Sequence, residues 1–168
     1  MSPRSRRLCS FVILLSGTIA GAASAQGRPP AEKQAPGDRG SIERGRYLAK
    51  IAGCNDCHTP NYGQSGGKVP EAQWLTGDKL GFRGAWGTTY PANLRLMMQR
   101  MSEAEWLKMA RTHEMRPPMP WFNLRDMSTQ DLRSLYRFVR HLGPAGEPAP
   151  EYLPPGQQPQ GPVVSFPM

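Results

Sequence analysis

The sequence predicts an all-α fold, and three observations support this prediction. Helix-start signals stand at Ser102 and Ser128, each followed by apolar residues at helical spacing. A Cys-x-x-Cys-His motif spans 54–58, and no strand–helix–strand pattern surrounds it. Residues 59–93 form a long glycine-rich stretch, and loops of this length are uncommon in a compact domain unless they have a structural or functional role.

The first 25 residues have the features of a signal peptide. Three arginines between Arg4 and Arg7 precede an apolar stretch, and Ala23-Ser24-Ala25 is a small-x-small cleavage site. The apolar stretch is shorter than the roughly 20 residues that span a bilayer, so we expect export to the periplasm and no stable membrane span. An uncleaved anchor is the alternative.

A flexible leader is predicted for 26–40, because this segment is rich in proline, glycine and charge. Ser41 can cap a first helix that runs to about Gly53, with Tyr47, Leu48 and Ile51 on one face. Gly45 is unfavourable inside a helix by roughly 1 kcal/mol relative to Ala. Its small size would suit a second helix that crosses closely.

The motif Cys54-Asn55-Asp56-Cys57-His58 is the attachment sequence for covalent haem c. Both thiols can reach vinyl groups on one edge of the same porphyrin and form thioethers. His58 is then held beneath the iron as a neutral imidazole ligand. The motif occurs once, so one haem is expected.

Two other interpretations of the cysteine pair are a thioredoxin-like redox pair and part of a zinc site. The redox pair would require a βαβ context. A zinc site would have to combine these residues with distant histidines, since no second closely spaced pair is present. The five available ligands outside the signal peptide are Cys54, Cys57, His58, His113 and His141.

A haem would explain the long loop at 59–93, because loops can pack on the edges of a large apolar porphyrin. The expected packing groups are Trp74, Phe82, Trp86 and Tyr90. One of Trp86, Thr88, Tyr90 or Asn93 is a candidate donor of a hydrogen bond to a haem propionate.

Three helices are predicted after this loop. A short one covers 93–100. The second begins with a capping box formed by Ser102 and Glu105 and runs to about Thr112. The last one begins at Ser128 and stops at Gly143. Inward-facing residues are Trp106, Leu107 and Ala110 in the second and Leu132, Leu135, Tyr136, Val139 and Leu142 in the last.

Residues 144–168 contain eight prolines, so we expect an extended Pro/Gly-rich tail that lies along the domain or binds a partner. The sequence therefore divides into a signal peptide (1–25), a leader (26–40), one domain (41–143) and this tail.

The residue on the open side of the iron is predicted to be Met119, which stands between Pro118 and Pro120. The prolines stiffen the chain around it, and this lowers the entropic cost of presenting a weak thioether ligand. Met115, Met127 and His113 are the alternatives. A methionine that only packs, with five-coordinate iron, is a further one.

These residues resemble a class I c-type cytochrome. The resemblance rests on Gly45 and Tyr47 in the first helix, the Cys54–His58 motif, the Pro118–Trp121 loop and Tyr136 in the last helix. It implies a cytochrome c-like fold, with helices and long loops wrapped around one covalent haem. The first and last helices would cross near Gly45 and Tyr136, with His58 and Met119 as axial ligands.

The implied function is one-electron transfer in the periplasm, with no catalytic residues. The chain resembles in particular the small haem domains that accompany bacterial dehydrogenases. Alternatives are a haem subunit of a larger oxidoreductase complex and an open-site haem protein that binds small ligands or peroxide. Of the 21 Lys and Arg residues, three lie in the signal peptide, which leaves 18 against 13 acidic residues. This excess of positive charge fits either solubility alone or redox partners with acidic docking surfaces. No motif for nucleic-acid binding is present.

Overall fold

The computed structural model describes residues 36–167, and the predicted signal peptide lies outside this range. The described part is mostly helical, which confirms the predicted fold class, and it adds one small sheet. None of its helices is long and apolar enough to cross a membrane. The elements are α1 (Pro36–Ile51), α2 (Cys54–His58), a 3-10 helix (Glu71–Gln73), β1 (Gly81–Gly84), β2 (Gly87–Thr89), α3 (Leu94–Gln99), α4 (Glu103–Thr112), α5 (Trp121–Asp126), α6 (Thr129–Leu142) and β3 (Val163–Ser165).

Helix α1 begins before the predicted cap at Ser41. Pro36 is the first helical residue, a position where a backbone N–H would have no partner within the helix, so proline costs no hydrogen bond there. The negative charge of Asp38 in the first turn interacts favourably with the positive N-terminal end of the helix. Residues 36–40, assigned to the flexible leader on composition, are therefore helical. The rest of that leader lies outside the described residues.

Helices α1 and α6 cross at Gly45, as its small size suggested. A Cβ atom built on Gly45 would lie 2.0 Å from the carbonyl oxygen of Ser134 and 2.6 Å from Cβ of Phe138. The resemblance placed the crossing near Tyr136. The direct contacts of Gly45 lie on either side of that residue, whose hydroxyl donates to the carbonyl of Met101 at 2.9 Å.

The predicted inward face of α1 is only partly correct. Leu48 is buried, whereas Tyr47 is 51% and Ile51 60% exposed. Ile42 and Ala49 form the buried face together with Leu48. Three apolar residues at helical spacing were too few to locate the face, because a neighbouring stripe of the helix carries the core contacts.

Helix α6 follows the prediction closely. Ser128 accepts a hydrogen bond from the backbone N–H of Asp131, and Gly143 forms the C-terminal cap. All five positions of the predicted stripe and one further aromatic residue, Phe138, occupy the core or its margin. Leu132, Leu135, Phe138 and Val139 are buried, and Tyr136 and Leu142 pack against them half-buried.

Helices α3 and α4 also form where predicted. Asn93 caps α3, and Ser102 and Glu105 make both bonds of the capping box at the start of α4. Helix α5, directly after Pro120, was not predicted. It has only six residues, too few for an apolar periodicity to be visible in the sequence.

A three-stranded sheet forms from segments that were predicted to be loop and tail. Strand β1 pairs with β2 in antiparallel register, Phe82 opposite Thr89. On its other side β1 pairs with β3 in parallel register, Phe82 opposite Val164. The strands have three or four residues each, and β3 comes from the Pro/Gly-rich tail. The tail thus lies along the domain.

One buried arginine, Arg95, binds the backbone at the C-terminal end of α6. Arg95 is 5% exposed and donates to the backbone carbonyls of Gly143 at 2.6 Å and Ala72 at 2.7 Å, and also to that of Leu142. Burial lowers the pKa of its guanidinium. Carbonyls at a helix C-terminus carry partial negative charge, so they can satisfy a buried cation in place of a carboxylate.

Candidate cofactor site

One cavity of about 680 Å³ opens between α2, α3, α4 and the segments around Met119 and Pro150. Its size lies within the range of roughly 300–1,000 Å³ typical of small-molecule and cofactor sites. Most of its wall is apolar, as a porphyrin requires. Core residues on the wall include Leu75, Met98, Trp106, Leu135 and Val139.

The short helix α2 presents both cysteines to this cavity. Gly53 precedes it with φ 73°, a left-handed conformation that glycine adopts without strain. Cys54 and Cys57 are three residues apart on one helical turn, so they share a face, and both line the cavity. Burial raises the pKa of Cys54 to about 11 and also raises that of Cys57. Both sulfurs therefore favour the neutral thiol, and a thioether forms by net addition of its sulfur and hydrogen across a vinyl group.

A buried asparagine within the motif holds α2 in place. Oδ1 of Asn55 accepts a hydrogen bond from the hydroxyl of Thr59 at 2.8 Å. The same hydroxyl oxygen accepts from the backbone N–H of Leu75 at 2.8 Å. These two bonds connect the motif to the cavity wall across 20 residues of sequence.

The histidine of the motif has a defined orientation. Nδ1 of His58 lies 2.8 Å from the carbonyl oxygen of Ala92, and His58 lines the cavity. Because a carbonyl can only accept, Nδ1 must carry the hydrogen, which leaves the lone pair on Nε2. Burial lowers the pKa of the ring and so favours the neutral form. A neutral imidazole with its second nitrogen held by a carbonyl is the usual arrangement of a metal-ligating histidine.

Met119 lies on the same cavity, half-buried. Its backbone N–H donates to the carbonyl of Arg116 at 3.3 Å, and its carbonyl accepts from the N–H of Trp121 at 2.9 Å. The alternative ligands named from the sequence, Met115, Met127 and His113, also line the cavity. The choice of Met119 among them therefore stays a prediction.

The cavity fits an iron porphyrin better than a zinc ion. Residues 36–167 contain no cluster of three His, Cys, Asp or Glu side chains that could hold a metal ion. The zinc interpretation of Cys54 and Cys57 therefore has no support in this range. Two thiols on one face, a neutral imidazole and a wide apolar wall are instead the groups that a covalently bound porphyrin needs.

A comparison with protein-family models gives a match to the family described as Cytochrome c, over residues 42–143. This range covers more than half of the chain. The protein belongs to the cytochrome c family. Membership implies binding of haem c and a role in electron transfer. No curated protein and no solved structure matches the chain.

The aromatic residues predicted to pack on the haem of this cytochrome c domain divide into two groups. Phe82 and Tyr90 line the cavity. Trp74 is buried elsewhere in the core, edge-on to Tyr62 and Phe138. Trp86 packs against Phe166 of the tail and is not on the wall. Of the four, Phe82 and Tyr90 therefore stay predicted packing groups for a haem in this cavity.

The four candidate propionate donors divide in a similar way. Tyr90 lines the cavity. Thr88 is buried in the sheet opposite Leu153, and the amide nitrogen of Asn93 donates to the carbonyls of Ala145 at 2.8 Å and Glu147 at 3.1 Å. Trp86 is not on the cavity wall, although its buried indole N–H has no hydrogen-bond partner among the described residues. Tyr90 is therefore the one candidate donor of the four that lines the cavity.

Two residues of the tail that were not predicted from the sequence, Pro150 and Tyr152, also line the cavity. Both lie outside the segment that matches the cytochrome c family. A tyrosine in a Pro/Gly-rich segment carries no periodicity that could place it against the domain, so only the three-dimensional structure reveals it.

Proposed function

We propose that the protein is a periplasmic one-electron carrier with a single haem c, bonded through Cys54 and Cys57 and ligated by His58 and Met119. The observation that carries the proposal is the presence of all four side chains on one apolar cavity. Family membership supports the haem and the electron transfer. The sequence of residues 1–25 supports export.

The chain's own contribution would be to hold its ligands still and to exclude water. Bound haem supplies an iron that exchanges one electron between its ferric and ferrous states. The bond between His58 and Ala92 fixes the imidazole, and the prolines beside Met119 restrict the loop that carries the thioether. Methionine as second axial ligand would raise the reduction potential.

The partner would be another redox protein. The excess of Lys and Arg over acidic residues outside the signal peptide supports docking on acidic surfaces. The same chemistry would serve a free carrier or a haem subunit of a larger oxidoreductase complex.

The ligand assignment can be tested by visible spectroscopy of the ferric holoprotein. Methionine bound to ferric haem gives a weak charge-transfer band at the red edge of the spectrum. We expect this band in the wild type, its loss in Met119→Ala and its retention in the matched variants Met115→Ala and Met127→Ala. A band that survives in Met119→Ala would refute the assignment, and a wild type without it would support an open iron site or ligation by His113.

The covalent attachment can be tested separately. After denaturation and extraction with acidified organic solvent, the haem should stay with the wild-type polypeptide. Replacing both Cys54 and Cys57 with Ala should release it into the solvent. A colourless wild-type polypeptide after extraction would overturn the haem c proposal as a whole.

A further inference from the structure

The C-terminal segment, residues 144–167, forms part of the cavity although it lies outside the family match. Pro150 and Tyr152 line the cavity wall, and the ring of Tyr152 contacts Arg116 of the loop Met115–Pro120. This loop carries Met119. The segment and the loop therefore meet at the place where a second axial ligand would be presented.

The position of Tyr152 in this segment is fixed by the sheet. Its hydroxyl donates to the carbonyl of Trp86 at 2.7 Å. Next to it, Leu153 and Thr88 exchange both backbone hydrogen bonds, at 2.8 and 3.0 Å. Since Trp86 and Thr88 belong to the hairpin of β1 and β2, the tyrosine ring has a rigid support.

The loop Met115–Pro120 contacts both Tyr152 and the hairpin that supports it. The guanidinium of Arg116 lies over the Tyr152 ring, 3.9 Å from its centroid. The hydroxyl of Thr89 donates to the carbonyl of Pro117 at 2.6 Å. The carbonyl of Arg116 in turn accepts the backbone N–H of Met119. Tyr152 is thus connected to Met119 through a single intervening residue.

We propose that Tyr152 is a positioning residue which, by stacking with Arg116, holds the Met119 loop across the cavity and keeps the methionine sulfur at the sixth position of the iron. The inference rests on the proposed ligation by His58 and Met119. A fixed loop presents a weak thioether ligand at lower entropic cost and so opposes its replacement by an external ligand.

Titration of the ferric holoprotein with imidazole tests this role, because imidazole binds the iron only after Met119 has left. Tyr152→Leu keeps an apolar side chain at the cavity but removes the stacking partner of Arg116. We expect the apparent affinity for imidazole to rise about fivefold, the effect of losing one exposed cation–π contact. On heating, the red-edge methionine band of Tyr152→Leu should also weaken more than that of the wild type.

A matched control is available on α1. The guanidinium of Arg44 lies over the ring of Tyr47, 5.5 Å from its centroid, and neither residue is on the cavity wall. Tyr47→Leu should leave the imidazole affinity unchanged. Tyr152→Phe retains the ring beneath Arg116, so its affinity should remain within about twofold of the wild type.

Arg116→Gln removes the same contact from the loop side. It should raise the imidazole affinity as much as Tyr152→Leu, and the double variant should match either single variant, because both remove one interaction. Arg116 is exposed, so Arg116→Gln should not disturb folding. This variant therefore tests the positioning role by itself if Tyr152→Leu yields no holoprotein.

Two failures are distinguishable. In the first, the wild type has a methionine band that disappears in Met119→Ala, but Tyr152→Leu, Tyr47→Leu and the wild type bind imidazole equally well. This result would overturn the positioning role of Tyr152 and leave the ligation by Met119 intact. A wild type without the band would overturn both.

Discussion

Gly45 is the residue on which the crossing of α1 and α6 depends. The nearest atom to a Cβ at this position is a backbone oxygen, which cannot move aside as the end of a flexible side chain could. We expect Gly45→Ala to lower the free energy of unfolding of the holoprotein by about 3 kcal/mol, the upper range for overpacked cores. Urea denaturation followed by circular dichroism would measure the change.

The control for this substitution lies in the same helix. A Cβ built on Gly40 has no heavy atom within 4 Å. Because Ala is the better helix former, Gly40→Ala should raise the free energy of unfolding by about 0.5–1 kcal/mol. Equal effects of the two substitutions would contradict the close crossing.

Between elements, α1 and α6 are also joined by an ion pair near the surface. Nε of Arg44 donates to the carboxylate of Asp131 at 2.9 Å. This bond and a side-chain hydrogen bond with Ser128, the residue that caps α6, hold the pKa of Asp131 below its ordinary value of 3.8. The unfolded chain lacks both bonds, so the ionised carboxylate stabilises the fold.

The sign of the pH dependence follows from this lowered pKa. The stabilisation is complete above the unfolded pKa, roughly 4, and is lost as the pH falls through the lower folded value. The urea midpoint of the wild type should exceed that of Asp131→Asn by a constant amount above about pH 5, and the difference should shrink below about pH 4.

Asp126 provides the comparison for this ion pair. It bonds the adjacent Arg125, a neighbour that stays close in the unfolded chain as well. Asp126→Asn should therefore change the urea midpoint less than Asp131→Asn does. A difference between the wild type and Asp131→Asn that grows on acidification would contradict the assigned role of Asp131.

Elements with local signals were predictable from the sequence. The caps at Ser102 and Ser128 and the stop at Gly143 each depend on a few neighbouring residues, and the structure has all three. The haem motif is local in the same sense. Its two cysteines and histidine face the cavity because one helical turn is enough to align them.

Elements that depend on distant partners were not predictable. Strand β1 lies about 80 residues before β3 in the sequence, and three-residue strands carry no measurable alternation. For the same reason Trp86 was assigned to the haem, whereas its ring packs against Phe166 of the tail. The face of α1 was misjudged because the core contacts of Ile42 and Ala49 lie on a neighbouring stripe of the helix, which the spacing of Tyr47, Leu48 and Ile51 did not indicate.

At the scale of the whole molecule, two different structures surround the cavity. Helices α1 and α6 pack closely at Gly45, and the hydrophobic core lies within the residues 42–143 that match the cytochrome c family. The C-terminal segment lies outside this match, and it contributes β3 to the sheet and Pro150 and Tyr152 to the cavity wall. The tail is therefore part of the folded domain, which gives it a measurable role in local stability.

Ending the chain after Gln160 tests this integration. The truncation removes β3 and with it Pro162, whose carbonyl accepts the backbone N–H of Gly81 at 3.0 Å. It leaves the acceptor of the Thr88 N–H, the carbonyl of Leu153 at 2.8 Å. Hydrogen exchange of the holoprotein should show protection at Gly81 falling by about tenfold or more while protection at Thr88 is retained.

The two amides separate the possible outcomes because they lie in neighbouring strands of one sheet. Unchanged protection at Gly81 would mean that β3 does not pair with β1 in solution. An equal loss at Thr88 would mean that the tail unfolds as one cooperative unit, so that Tyr152 would leave the cavity together with β3. Retention at Thr88 alone is expected, since Leu153 and Tyr152 have their own bonds to the hairpin and do not need β3 to stay at the cavity.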